Sequence, residues 1–352
     1  MPSKKMSLVL IVMGLAAVVG CGSSSTHTAY VTLPTSNAVA AYRIDNSSAR
    51  FTTIVGSPYP AGTSPSSVLV HPSGRFVYVA NQGDNDIELF SIDRTVGALL
   101  EVSPRTPAGL APASLVMDTG GSLLFALNQI SGSISAYSIN SGSGALSPVA
   151  GSPFPTFANP VAMAITPSAK FLYVINANLA SIFAYTVTSG VVQPVAGLPT
   201  PVGAGPFAVT VDPTEKFVYV ANLSDSTISV LSINSSTGAL TVIGAYATGI
   251  RPTAVTVLGQ FLYVANQGSS TITVFSVDST TAILTQVTGS PFTTGGPPSF
   301  ALIDPNGKFL YTGSQSSNLI SVLSLASTTG VLATTSESAS TTVSPSSMAV
   351  TK

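Results

Sequence analysis

One pattern of buried and polar positions recurs along the chain. A six-residue run, apolar at nearly every position and closed by a polar residue, appears as FVYVAN at 76–81, LLFALN at 123–128 and FLYVIN at 171–176. It returns as FVYVAN at 217–222, FLYVAN at 261–266 and FLYTGS at 309–314, with a degenerate first copy, AYVTL, at 29–33. The aromatic position falls at 30, 78, 125, 173, 219, 263 and 311, which gives spacings of 48, 47, 48, 46, 44 and 48. Continuous apolar runs of this length predict strands buried on both faces. A Pro-led run precedes each copy after the first, as in PFAVTV at 206–211, and a run such as ITVFSV at 272–277 follows it. A fourth, less regular piece completes each unit, as in LTVI at 240–243. Turn residues separate the pieces, and no stretch sustains a helical period.

Four strands repeated seven times fit either an open solenoid or a closed propeller. The phase of the chain separates them. The repeat enters at a second strand (Tyr30) and leaves on a first strand, PSSMAV at 345–350, which matches PSSVLV at 65–70. Joining the ends costs about 5 kcal/mol of loop entropy, and burying Met348 and Val350 returns roughly 3–6 kcal/mol. The expectation is all-β: a seven-bladed propeller of four-stranded antiparallel blades over residues 29–352, its ring closed by both termini in one blade. Removal of 344–352 is expected to destabilise it strongly.

The first residues read as a processing signal. Lys4 and Lys5 precede a 13-residue apolar stretch, Leu8 to Gly20, too short to span a bilayer and of signal-peptide length. The single cysteine, Cys21, follows small residues and resembles a bacterial lipobox, so 1–20 is expected to be a lipoprotein signal and 21–28 a lipidated tether. The expected setting is the bacterial cell envelope, lipid-anchored on the periplasmic or outer-membrane side. Gly22 after the cysteine favours the outer membrane, by the same resemblance.

Composition narrows the partners. Only 12 Lys+Arg and 13 Asp+Glu occur in 352 residues, 7 % charged, against about 25 % in an average soluble chain. Without a basic excess, nucleic acid is excluded as a partner. The 52 Ser and 39 Thr supply turns and soluble strand faces without charge. A monomer is expected.

The YVAN runs at 78–81, 219–222 and 263–266, with HPSGRF at 71–76 and DPNGKF at 304–309 before such strands, resemble the YVTN-type repeat. The pattern is similar to the seven-bladed propeller lactonase family, which includes 6-phosphogluconolactonase-like and carboxymuconate-cyclase-like proteins, over nearly all of 29–352. The resemblance implies a lactone-opening activity at the central channel. Surface-layer proteins without known chemistry carry the same repeat, and the Glu- and Asn-rich calcium centre of other propeller lactonases is not recognisable.

Lactone hydrolysis needs an activated water and a group that balances the developing oxyanion. Arg251 and Arg105 are the only charges in the loops joining a fourth strand to the next first strand, and either could orient an anion. Asp84 and Asp86 suggest a weak cation site or a solvated turn, with Asp225 in the corresponding turn of another unit. His71 occupies a turn position held elsewhere by Asp118, Thr166, Asp212 and Asp304, so it reads as a turn cap; His27 is expected in the tether. The Asn closing each core strand is expected to bond turn backbone. No cofactor is expected, since the propeller has no Cys and no His suited to haem or a quinone. Two functions follow: an envelope binding module for a protein or glycan, favoured by the missing acid–base pair, or a lactone hydrolase, favoured by the resemblance.

Overall fold

The computed structural model describes residues 26–197 and 199–352; the expected signal at 1–20 and Cys21 lie outside them. Seven antiparallel sheets form the blades of a closed ring. Blade 2 shows the plan: Pro65–Val70 is innermost, followed outward by Phe76–Asn81, Asp86–Ile92 and Leu99–Pro107. Successive first strands touch one another all round the channel, from Ser347–Val350 through Pro298–Ile303 and back. The seam lies where expected. Thr26–Leu33 pairs with Ser347–Val350, with Val31 opposite Met348 and Tyr30 opposite Ala349. No helix among the described residues is long and apolar enough to cross a membrane.

The first strand, Thr26–Leu33, already includes the three residues before Ala29, where the sequence suggests the propeller starts. His27 is therefore a strand residue and not part of a tether. It is buried, and its Nε2 lies 2.9 Å from Asn306 Nδ2 in blade 7. Burial lowers its pKa, partly offset by Asp304.

Every residue of the second strands Phe76–Asn81, Phe171–Asn176, Phe217–Asn222, Phe261–Asn266 and Phe309–Ser314 is buried. Each such strand packs against two neighbouring blades, as its two-sided apolar pattern requires. One cluster, for example, joins Phe76 and Tyr78 of blade 2 to Leu124 and Tyr137 of blade 3. The central tyrosines also reach across the blade boundary. The hydroxyls of Tyr30, Tyr78 and Tyr173 donate to the carbonyls of Gly97, Gly144 and Gly238, in the outer hairpin of the next blade, at 2.9, 2.7 and 3.1 Å. Blades 1 and 6 hold Ala49 and Ala282 left-handed at that hairpin position, but in blade 3 the space admits only glycine. Gly144 has φ +76°, and a Cβ there would stand 2.7 Å from the Phe76 ring.

The fourth strand is broken in blades 1, 3, 4 and 6, as in Leu146–Pro148 followed by Phe154–Pro155. A serine side chain fills the gap in three of them. The hydroxyls of Ser57, Ser152 and Ser290 accept the N–H groups of Ala41, Ala136 and Val274, which lack a strand carbonyl at the break.

The first strands carry a bulge just after their leading proline in blades 2 to 7. A bulge residue is free of the ladder and can be aimed elsewhere. In blades 2, 6 and 7 it is Ser66, Thr253 or Ser299, whose hydroxyl reaches the carbonyl of Pro112, Pro298 or Pro345 in the next blade. Ser346 completes the seam with a bond to Pro65. Blades 3, 4 and 5 place Ala113, Val161 and Phe207 there instead.

The closing asparagines behave differently from the turn-backbone expectation. Asn128, Asn222 and Asn266 donate through Nδ2 to pairs of hydroxyls on the third strand: Ser133 and Ser135, Thr227 and Ser229, Thr271 and Thr273. Only Asn176 follows the expectation, donating to Ala158 O and accepting from Leu179 N. The physical reason is register: residues five and seven positions on share its sheet face across the tight second-to-third-strand turn.

Candidate active site at the channel mouth

The loops that enter each blade and the turns between second and third strands open on one end of the channel. They brace one another in a fixed way. Gln267 N–H donates to Arg251 O, and Gln82, Gln129 and Leu223 repeat the bond with Ser64, Ala111 and Gly205. The residue before the leading proline is left-handed at all these points, Arg251 with φ 55°. Holding an arginine in that conformation places its side chain at the mouth, exposed to solvent. Among the described residues it forms no ion pair. Its N–H donates to Ser226 Oγ at 3.4 Å, so Arg251 and the exposed Asp225 stand on adjoining segments. Asp225 accepts the Ala204 N–H in the loop entering blade 5.

Asp84 performs the same loop-bracing task in blade 2, accepting Thr63 N–H at 2.7 Å. Ser131 and Ser269 do so in blades 3 and 6, for Leu110 and Ile250. The Thr63 N–H is the main cause of the lowered Asp84 pKa. Asp86 instead accepts from Asn81 Nδ2 at 2.7 Å, and burial raises its pKa. Among the described residues, no three His, Cys, Asp or Glu side chains are grouped to hold a metal ion.

Arg105 lies in the outer strand Leu99–Pro107, not in the loop after it. Its guanidinium is occupied: Glu88 at 3.0 Å, Glu101 at 3.2 Å and Asp84 at 3.4 Å surround it. Burial pulls its pKa down, but Glu88, Asp86 and Glu101 outweigh that and hold it above the ordinary value. It is not free to bind a substrate anion. Glu88, on the third strand Asp86–Ile92, is fully buried; it accepts from Gly62 N–H at 2.9 Å and Asn81 Nδ2 at 3.1 Å. Burial raises its pKa. The repeat offered a signal for this site. The position seven residues after the closing asparagine is Ser135, Phe183, Ser229, Thr273 and Ser321 in the other blades that carry the full core run, so a carboxylate stands out. A Cβ on Gly62 would fall 2.4 Å from Asn81 Cγ, which keeps the entry loop close enough to seal the carboxylate.

His71 is a cap, on the opposite end of the channel. Its Nδ1 accepts Ser73 N–H at 3.1 Å while Nε2 lies 2.9 Å from Gly121 O, which makes Nε2 the protonated nitrogen. Asp118, Asp212 and Asp304 use a carboxylate oxygen for the same turn.

A ring of four-stranded blades with this loop-built mouth defines a seven-bladed propeller. The chain matches the family model described as "Lactonase, 7-bladed beta-propeller" over residues 22–157 and 162–350, and it belongs to that family. No curated protein matches it. Its fold is similar to that of a candidate 6-phosphogluconolactonase from Bacteroides fragilis, with a TM-score of 0.82, 21 % identity, and coverage of 94 % of this chain and 99 % of that one. A periplasmic gluconolactonase from Pseudomonas aeruginosa gives 0.80 at 19 % identity, covering 93 % and 99 %. A second candidate 6-phosphogluconolactonase, from Bacteroides uniformis, gives 0.81 at 20 %, covering 92 % and 99 %. Identities this low establish a common fold.

Proposed function

We propose that the protein is a lactone hydrolase acting at the channel mouth, outside the cytoplasm, and held to the membrane by a lipid on Cys21. The observation that carries the hydrolase reading is the lactonase family match over nearly the whole chain. It favours catalysis over the binding-module reading. The periplasmic gluconolactonase among the similar structures and the lipobox-like sequence before Cys21 support the location.

Among the described residues, Arg251 is the cation of the mouth that no carboxylate neutralises, and Asp225 is the carboxylate on the segment beside it. In the proposed step, Asp225 accepts a proton from water as the water oxygen bonds to the lactone carbonyl carbon. The Arg251 guanidinium balances the tetrahedral oxyanion. The ring C–O bond then breaks as the Arg251-balanced oxyanion collapses, and its oxygen takes the proton back from Asp225, which gives the hydroxy acid and restores the carboxylate. Purified protein should open lactones faster than the spontaneous reaction in a pH-stat. A rate indistinguishable from buffer across δ-valerolactone, glucono-δ-lactone and dihydrocoumarin would refute the reading. Membrane fractionation of the Cys21→Ser variant tests the anchor, with release into the soluble fraction expected.

A further inference from the structure

We infer that the lactone taken at this mouth is uncharged and carries an apolar or aromatic substituent, and is not a phosphorylated sugar lactone; this rests on the hydrolase reading above. Two independent observations carry it.

The first is an exposed apolar sector. Leu110, Ile130, Phe157, Leu179, Phe207 and Ile250 are all exposed, and every one belongs to an entry loop, a second-to-third-strand turn or the top of a first strand. They cover blades 3 to 6 on the face that carries Arg251. Adjacent members are physically linked. Ile130 N–H donates to Leu110 O at 3.2 Å, and Thr156 N–H to Gly132 O at 2.8 Å, which sets Phe157 beside the blade 3 turn. Phe157 stacks on Phe183 of blade 4, with centroids 4.2 Å apart and planes inclined at 27°. Phe207 is the bulge residue of blade 5, 43 % exposed, at a position where other blades hold a hydroxyl locked into the next blade. Ala113 and Val161 continue that apolar arc of the rim through blades 3 and 4, and Ile250 brings it up to Arg251. Water-exposed aromatic and branched side chains on the same face as the Arg251 guanidinium suit a neutral ester with a hydrophobic body.

The second is charge. A phosphate monoester is recognised by several cationic donors, often in bidentate pairs. Among the described residues around this mouth, Asp84, Asp86, Glu88 and Asp225 face only Arg105 and Arg251, and Arg105 is held by three carboxylates. Among the described residues of the mouth one free cation serves the oxyanion, and none remains for a dianion. The carboxylate excess would repel it.

The test is a comparison of kcat/KM for dihydrocoumarin, an uncharged aromatic lactone, with that for 6-phosphoglucono-δ-lactone. The expected ratio exceeds tenfold in favour of dihydrocoumarin. Replacing Phe157 and Phe207 by Ala should lower that ratio about tenfold, through KM, as lost apolar contacts do. Both side chains are exposed, so an unchanged Tm checks that the variants fold. Faster turnover of the phosphorylated lactone, or a ratio indifferent to both substitutions, overturns this inference while leaving the hydrolase reading intact. Turnover of neither lactone removes both.

Discussion

The Tyr78 hydroxyl donates to the carbonyl of Gly144, 2.7 Å away and 66 residues along the chain, across a blade boundary. The bond ties the core strand of one blade to the outer hairpin of the next. Tyr78→Phe leaves the buried Gly144 carbonyl without its donor and should cost about 1–2 kcal/mol, seen as a lower Tm. Tyr263 is the control. Its hydroxyl is buried without a hydrogen-bond partner among the described residues, and burial pushes its pKa up to about 12. Tyr263→Phe should therefore be neutral or slightly stabilising.

The seam of the ring should be the most sensitive region to truncation. Met348 packs with Val31, Phe309 and Tyr311, joining blades 1 and 7. Met348→Ala should cost about 2–5 kcal/mol. Deleting 344–352 strips blade 1 of its inner strand, and the product should lose cooperative thermal unfolding. An unchanged melting curve would show that the ring does not need its seam.

Breaking the blade 2 ion cluster should destabilise the fold more than restoring the repeat residue. Arg105→Ala leaves Glu88 buried without its cation, a change on the order of 3 kcal/mol. Adding Glu88→Ser, the residue of blades 3, 5 and 7 at that position, should recover most of the loss. A double-mutant cycle measured by chemical denaturation should show coupling of about 1–3 kcal/mol; additive losses would contradict a shared cluster.

Acid sensitivity should come from the outer hairpins. Asp45, Asp93 and Asp278 are held below the ordinary carboxylate range, chiefly by bonds from the Ser47 hydroxyl, the Thr95 hydroxyl and the Thr281 N–H respectively. Their folded pKa values lie below the unfolded value of about 3.9. The stability they give is therefore present above roughly pH 4 and lost as pH falls through the folded values. Glu88 and Asp86, raised by burial, act with the opposite sign and soften the net loss. Asn140 and Asn234 already cap the equivalent hairpins of blades 3 and 5 through Oδ1. The triple variant Asp45→Asn/Asp93→Asn/Asp278→Asn should keep the turns and flatten the fall of Tm below pH 4.

The blades, their number and the seam were legible because each depends on residues that recur in phase, and hydrophobic periodicity reports that directly. The tyrosine-to-glycine bonds were not, because they join copies about 66 residues apart and pattern within one copy carries no trace of them. The asparagines misled for a related reason: a turn-proximal Asn has local backbone partners in principle, but strand register brought hydroxyls to Nδ2 first. At the mouth, the exposure of Arg251 follows from its place before Pro252, a position the sequence shows directly. The neutralisation of Arg105 was not foreseen, since Asp84, Glu88 and Glu101 meet it only when two turns and an outer strand fold together. Burial of Glu88 could have been read from the repeat, as the single carboxylate at a position of small hydroxyls and one Phe.

Arg251 and Arg105 offer the most direct test of the central claim, because one guanidinium is free and the other is held. Initial rates of dihydrocoumarin hydrolysis should fall at least tenfold in Arg251→Ala, consistent with loss of a group that balances an oxyanion. The Arg105→Ala rate, taken below its own melting transition, should stay within about twofold, on the factor-of-ten scale of 1.4 kcal/mol. Equal rates for wild type and Arg251→Ala, or a wild-type rate no faster than buffer, would contradict the account.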